Sequence, residues 1–150
     1  MIAKKILFFL LFSFTVIKAQ SADDILGSWM AVDHSVAVKV YKVNDEYRAK
    51  VIWFDEKLGS GKPMNSRYDS GNPNPALRSR KIIGMEILEG LEYKPETHSW
   101  EHGIIYDASS GRHWDSSVKF GKDGLLNVRG YWKFKWIGKS LSFKKLRSTL

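Results

Sequence analysis

Four histidines, His34, His98, His102 and His113, are the side chains of this sequence most suited to metal or proton chemistry. His98 and His102 have the spacing of two ligands on one helical face. They fall on a stretch that reads as turn and strand, where positions four apart lie about 13 Å from one another. No metal site and no cofactor are therefore expected. Asp107, His113 and Ser116 or Ser117 cluster across one expected hairpin and contain the parts of a nucleophilic triad. A turn aspartate with surface histidine and serines accounts for them as well. No Gly-x-Ser-x-Gly, Gly-rich phosphate loop or His-Glu-x-x-His occurs. The expectation is a protein without catalytic residues, not an enzyme.

Binding chemistry is better supplied. Trp53, Tyr106, Trp114, Trp132 and Phe134 fall on the apolar rows of alternating stretches and are expected to face inward. As rings they serve either as core or as a stacking wall for a small, partly apolar or amphipathic ligand, with Tyr106 adding a hydroxyl. Arg78 and Arg80 end a long polar loop. Each either forms bidentate bonds to a ligand carboxylate or phosphate, or pins the loop through Asp55, Glu56 or Asp69. The candidate ligand-binding set is thus Trp53, Arg78, Arg80, Tyr106, Trp114 and Trp132. Arg129, on an outward row, is expected to be a structural partner of a neighbouring acid.

The elements that must position these residues are strands. In Gly124–Trp136, G-L-L-N-V-R-G-Y-W-K-F-K-W, the even positions from Leu126 to Trp136 are apolar or glycine, while the odd ones include Asn127, Arg129, Lys133 and Lys135. That period fits a strand with one wet face, which needs partners for its apolar row. About seven more strands follow the same logic: Gly27–Val32, Val36–Val43, Tyr47–Phe54, Lys81–Leu91, Trp100–Asp107, Arg112–Phe120 and Lys139–Lys145. In the fifth of these, Trp100, His102, Ile104 and Tyr106 share one side. Short turns between them predict an all-β, single antiparallel up-and-down barrel of about eight strands. Such a barrel either fills with side chains or holds one small ligand.

Asp55–Arg80 interrupts the pattern with Gly, Pro, Asn and Ser. Asn74 before Pro75 predicts one helical turn, and a loop this long suggests a lid. Ser21–Leu26, with Asp23 and Asp24, predicts another short turn ahead of the first strand.

Met1–Ala19 reads as a cleavable signal peptide: Lys4 and Lys5, an apolar run from Ile6 to Ile17, and Ala19 before an expected cut. The run is short of the ~20 residues a membrane span requires. The mature domain, residues 20–150, is expected to be exported, periplasmic or extracellular, and not transmembrane. The absence of cysteine excludes disulfides, thiolate metal sites and a lipid anchor. Beyond Gly124 the chain carries seven basic residues, Arg129 to Arg147, and no acidic one. These lysines either solvate an outer face and guard an edge strand, or meet an anionic envelope surface. Nucleic acid is not an expected partner.

Gly27-Ser28-Trp29 at the start of the first strand resembles the Gly-x-Trp signature of lipocalins, although their Thr-Asp-Tyr signature is absent. The resemblance implies that Trp29 plugs a closed barrel end and that Lys145 or Arg147 lies across it by a cation–π contact. A second resemblance spans nearly the whole mature chain. Asp24–Trp29, Asn72–Arg80 (N-P-N-P-A-L-R-S-R), Gly84–Leu88, Gly103–Asp107 and Arg129–Tyr131 occur in this order in a family of small exported bacterial proteins, domain of unknown function 2147. The chain departs from that pattern with Lys81 and Phe143. Membership implies a lipocalin-like barrel but brings no catalytic residues. The leading expectation is a binding protein holding a small partly apolar ligand; the alternative is a packed barrel docking through its basic C-terminal face.

Overall fold

Strand pairing closes on itself in the computed structural model, which describes residues 19–147. The signal peptide expected over Met1–Ala19 lies outside the described residues except for Ala19. The strands are β1 (Gly27–Ala31), β2 (Val36–Val43), β3 (Glu46–Phe54), β4 (Glu86–Lys94), β5 (Ser99–Asp107), β6 (Arg112–Phe120), β7 (Leu126–Tyr131) and β8 (Gly138–Lys145). Each pairs antiparallel with the next, and β8 pairs back onto β1 through Trp29–Lys145 and Ala31–Phe143. The expected eight-stranded up-and-down barrel is what the chain forms. Because β8 has a partner on both sides, its lysines guard no open edge.

Alternating strand direction sends the turns to two ends. At the end where β1 begins, the 3-10 turn Ala22–Ile25 folds over the opening. Its geometry is set by Ser21, whose amide and hydroxyl donate to the Asp24 carboxylate at 2.8 and 3.0 Å. Trp29 is 1% exposed, and its Nε1 donates to the Ile25 carbonyl at 2.8 Å. Trp100 Nε1 donates to the Ala22 carbonyl at 3.1 Å. Both rings pack on Phe120, with centroids 5.9 and 5.6 Å away. Tyr47, Leu91, Val118 and Leu126 complete this core. Lys145 lies over the Trp29 ring with Nζ 5.3 Å from its centroid, the cation–π contact expected of the last strand. This end is closed by packed side chains.

Three local irregularities redirect the rings. On β5, Trp100 pairs with Val118 but Gly103 pairs with Ser116, so one extra residue is accommodated near His102, whose φ is +64°. The bulge resets the alternation. Trp100, Gly103 and Ile105 take the inner row, whereas Ile104 and Tyr106 take the outer one, which corrects the single row expected from Trp100 to Tyr106. On β3, Ala37 pairs with Trp53 and Val38 with Val51, skipping Ile52. Trp53 therefore shares the outer side with Ala37 and Met30 instead of facing inward. Finally, β7 ends at Tyr131, the last residue with a partner on β6, and Lys133 turns the chain with φ +63°. Trp132, Phe134 and Trp136 leave the sheet and are 61, 53 and 76% exposed. The inward orientation expected for Trp132 and Phe134 is overturned for this reason.

The β3–β4 connection is tied down throughout. Arg67 donates to the carbonyls of Glu56, Leu58 and Lys62 and lies over the Phe54 ring. Pro75–Leu77 forms the expected 3-10 turn, with Asn74 Oδ1 accepting from the Ala76 amide at 3.1 Å. Gly84, at φ +79°, sits in the turn before β4, which begins at Glu86 and not at Lys81.

Candidate functional site

At the end opposite the Trp29 plug, the inner rows stop short of one another. Small residues leave room there: Gly130 on β7 faces the inner space between Ile105 and Trp114, and a Cβ placed on it would meet only their side chains, at 3.8 Å. The result is a chamber of about 750 Å³. Val51, Met85, Ile87, Ile105, Trp114 and Leu141 form its apolar wall. The rim is made by Ile82 from the end of the long loop, Asp107 at the end of β5 with Ala108 and Ser109 of the turn after it, and Ile137 of the β7–β8 turn with Gly138 and Lys139 at the start of β8. A volume between about 300 and 1,000 Å³ with apolar walls and few polar groups is typical of a site for one small molecule.

The polar groups near it are few. Lys139 stands on the inner row of β8, which continues through Leu141 and Phe143, and its cross-strand partner is Gly130. Among the described residues it has no ion pair, unlike Lys42, Lys94 and Lys135, which pair with Asp23, Glu92 and Glu101. Asp107 is committed to its own turn. Its Oδ1 accepts from the Ser109 amide and hydroxyl at 2.9 and 2.6 Å, and Oδ2 from the Ser110 hydroxyl at 2.6 Å. Burial pushes its pKa up, but these bonds outweigh burial and hold it below the usual carboxylate value. Further along the inner row from Trp114, Ser116 is fully buried, and its hydroxyl makes no hydrogen bond among the described residues.

A second, smaller cleft of about 380 Å³ lies on the outer wall, between Asn72–Leu77 of the loop and β4 to β6. Its organiser is Asp69, 1% exposed. The carboxylate accepts from Tyr106 Oη at 2.7 Å, Asn72 Nδ2 at 2.7 Å and Arg80 Nη2 at 2.9 Å. Burial raises its pKa, and the bonds from Asn72, Tyr106 and Arg80 more than reverse this, so it lies below the usual value. Tyr106 is pushed up to about 12, first by burial and then by donating to that carboxylate. Arg80 lies over the Tyr106 ring at 5.6 Å, and the His113 ring packs against the same ring with centroids 5.0 Å apart.

The six sequence-derived candidates are thus divided. Trp114 lines the inner chamber; Tyr106 borders both spaces; Arg80 lines the outer cleft. Arg78 is exposed and donates from Nε to the Asn72 carbonyl at 2.8 Å, a contact within the loop but with none of the three acids expected, whereas Arg80 pairs with Asp69. Trp53 and Trp132 line neither space. Sequence reasoning missed Ile105, Gly130, Lys139 and Leu141. The signal for the last three was the β7–β8 register, since a glycine opposite a lysine on an otherwise apolar row is a gap with a charge at its edge. The parts of the notional triad are dispersed: Asp107 is held in a turn, His113 packs on Tyr106 outside the barrel, Ser116 is inside, and Ser117 stands on the outer row opposite Arg129, four residues along β6 from His113. Among the described residues no cluster of three or more metal-ligating side chains occurs, and no helix is long and apolar enough to cross a membrane.

A family model described as an uncharacterized protein conserved in bacteria, DUF2147, matches residues 27–145, and the chain belongs to that family. No curated protein matches it. Among solved structures it is similar to a Helicobacter pylori protein described as belonging to the lipocalin family, with a TM-score of 0.67 and 23% identity over 82% of this chain and 83% of that one. Similarity at that level establishes a lipocalin-like fold.

Proposed function

We propose that the protein is an exported, non-enzymatic carrier that holds one small, largely apolar ligand in the barrel. The observation that carries this reading is the chamber of about 750 Å³, walled by Val51, Ile105, Trp114 and Leu141 and open opposite the Trp29 plug. Apolar walls supply contact area without directional demands, and a preformed site avoids an ordering cost on binding. Export is supported by the basic, apolar and small-residue sequence pattern of Met1–Ala19. A non-enzymatic role is supported by the dispersal of Asp107, His113 and Ser116. The test is native and then denaturing mass spectrometry of residues 20–150 purified from cells. The carrier reading expects a stoichiometric small-molecule adduct, or a raised melting temperature with members of a lipid and metabolite panel. A clean apo mass with no such rise would defeat it.

A second reading is favoured by the exposed rings of the β7–β8 turn. Trp132, Phe134 and Trp136 stand in water beside Lys133, and the Phe134 and Trp136 rings stack at 5.4 Å. Arg129 and the Lys135–Glu101 pair brace this turn against the wall. Rings interleaved with cations suit an anionic envelope surface. Cosedimentation with phosphatidylglycerol vesicles that falls steeply with salt is expected on this reading.

A further inference from the structure

We propose that the barrel's ligand is a single-chain amphiphile with an anionic head, the head pairing with Lys139 at the rim while the apolar chain enters the chamber. This rests on the carrier reading above. Three observations converge on it. The chamber wall is apolar from Val51 and Ile87 across to Leu141, which suits a chain but offers a polar head nothing inside. Lys139 is the cation that the β8 register sets at the edge of this wall, on the row of Leu141 and Phe143. It is exposed and has no ion pair among the described residues, so an arriving anion need not displace an acid.

The surroundings of Lys139 sharpen the choice. Its cross-strand neighbour is Gly130, whose missing side chain leaves the flank of the lysine open to a guest. The acid at the rim, Asp107, has both oxygens occupied by Ser109 and Ser110. These bonds satisfy its hydrogen bonding but leave its charge, so the anionic head is assigned to the Lys139 side of the rim. A cationic head would be repelled by the lysine, and a neutral head would leave the ammonium unanswered. Carboxylate and phosphate heads share the required chemistry, a compact anion accepting from an ammonium. The volume suits one small molecule, hence one chain.

The experiment is calorimetric titration of the mature protein with dodecanoate and dodecyl phosphate, each below its micelle concentration, and with dodecanol below its solubility limit, on the wild type, Lys139→Met and Lys139→Arg. The wild type is expected to bind the better of the two anions about tenfold more tightly than the alcohol. Lys139→Met should lose that preference while keeping its dodecanol affinity, and Lys139→Arg should retain it. A dodecanoate preference over dodecyl phosphate supports the proposal with a carboxylate head; the reverse supports it with a phosphate head. Equal binding of acid and alcohol by the wild type, or an undiminished preference in Lys139→Met, overturns the proposal while leaving the carrier reading intact. Failure of all three probes to bind the wild type overturns it together with the carrier reading for such chains.

Discussion

Tyr106 donates its hydroxyl to Asp69 at 2.7 Å, and through that bond the outer wall of the barrel holds the long β3–β4 loop. Asp69 also accepts from Asn72 and Arg80, so wall and loop share one buried carboxylate. Tyr106→Phe removes one donor and leaves the charge buried. A loss of roughly 1.5–3 kcal/mol is expected, measured by urea unfolding against the wild type.

The same cluster gives the loop clamp a pH window. Asp69 has a lowered folded pKa, so its contribution is present above the unfolded value of 3.8 and is lost as pH falls through the lower folded value. Tyr106 has a raised folded pKa, so its contribution is present below the unfolded value of 10.0 and is lost as pH rises through about 12. Limited proteolysis of the loop should therefore accelerate in strong acid and again above pH 10, with a flat region between. Acceleration at neutral pH would contradict the clamp.

At the closed end, Trp29→Ala empties the plug and breaks the bond to Ile25. A cost of about 3–5 kcal/mol is expected, read as a lowered denaturation midpoint. Lys145→Met removes the cation over the same ring and should cost only about 0.5–1 kcal/mol.

Glycines mark where backbone or core leaves no room. A Cβ on Gly103 would lie 2.6 Å from Leu91 Cδ2, within the packed core, and Gly103→Ala should destabilise by about 1–3 kcal/mol. A Cβ on Gly138 would overlap the Gly130 carbonyl and the Tyr131 backbone. Gly138→Ala should therefore lower the melting temperature by forcing the mouth hairpin apart.

Most of the barrel was legible in the sequence because period-2 alternation and short turns are local signals. The eight strands follow from them and the Asn74-capped turn from asparagine before proline, whereas the Trp29 plug and its lysine were implied by the resemblance to lipocalins. What the alternation concealed were its interruptions. The extra residue at His102 turned Tyr106 outward, and the skipped Ile52 did the same to Trp53. Neither leaves a compositional mark, since bulge and regular strand use similar residues here. Trp132, Phe134 and Trp136 continued the apolar period beyond the point where β6 offers a partner, so pattern outran pairing. The chamber itself is a matter of space between rows, set by Gly130 and the cross-barrel register, which no single strand encodes.

The central claim, that the open half of the barrel receives an apolar guest, is tested most directly at Gly130. The wild type should bind 8-anilinonaphthalene-1-sulfonate at one site, followed by fluorescence. Gly130→Leu sends a branched side chain into the chamber between Ile105 and Trp114, and should lose most of that binding while its circular dichroism and melting stay close to the wild type. Undiminished binding by a folded Gly130→Leu would place the probe elsewhere and contradict the account.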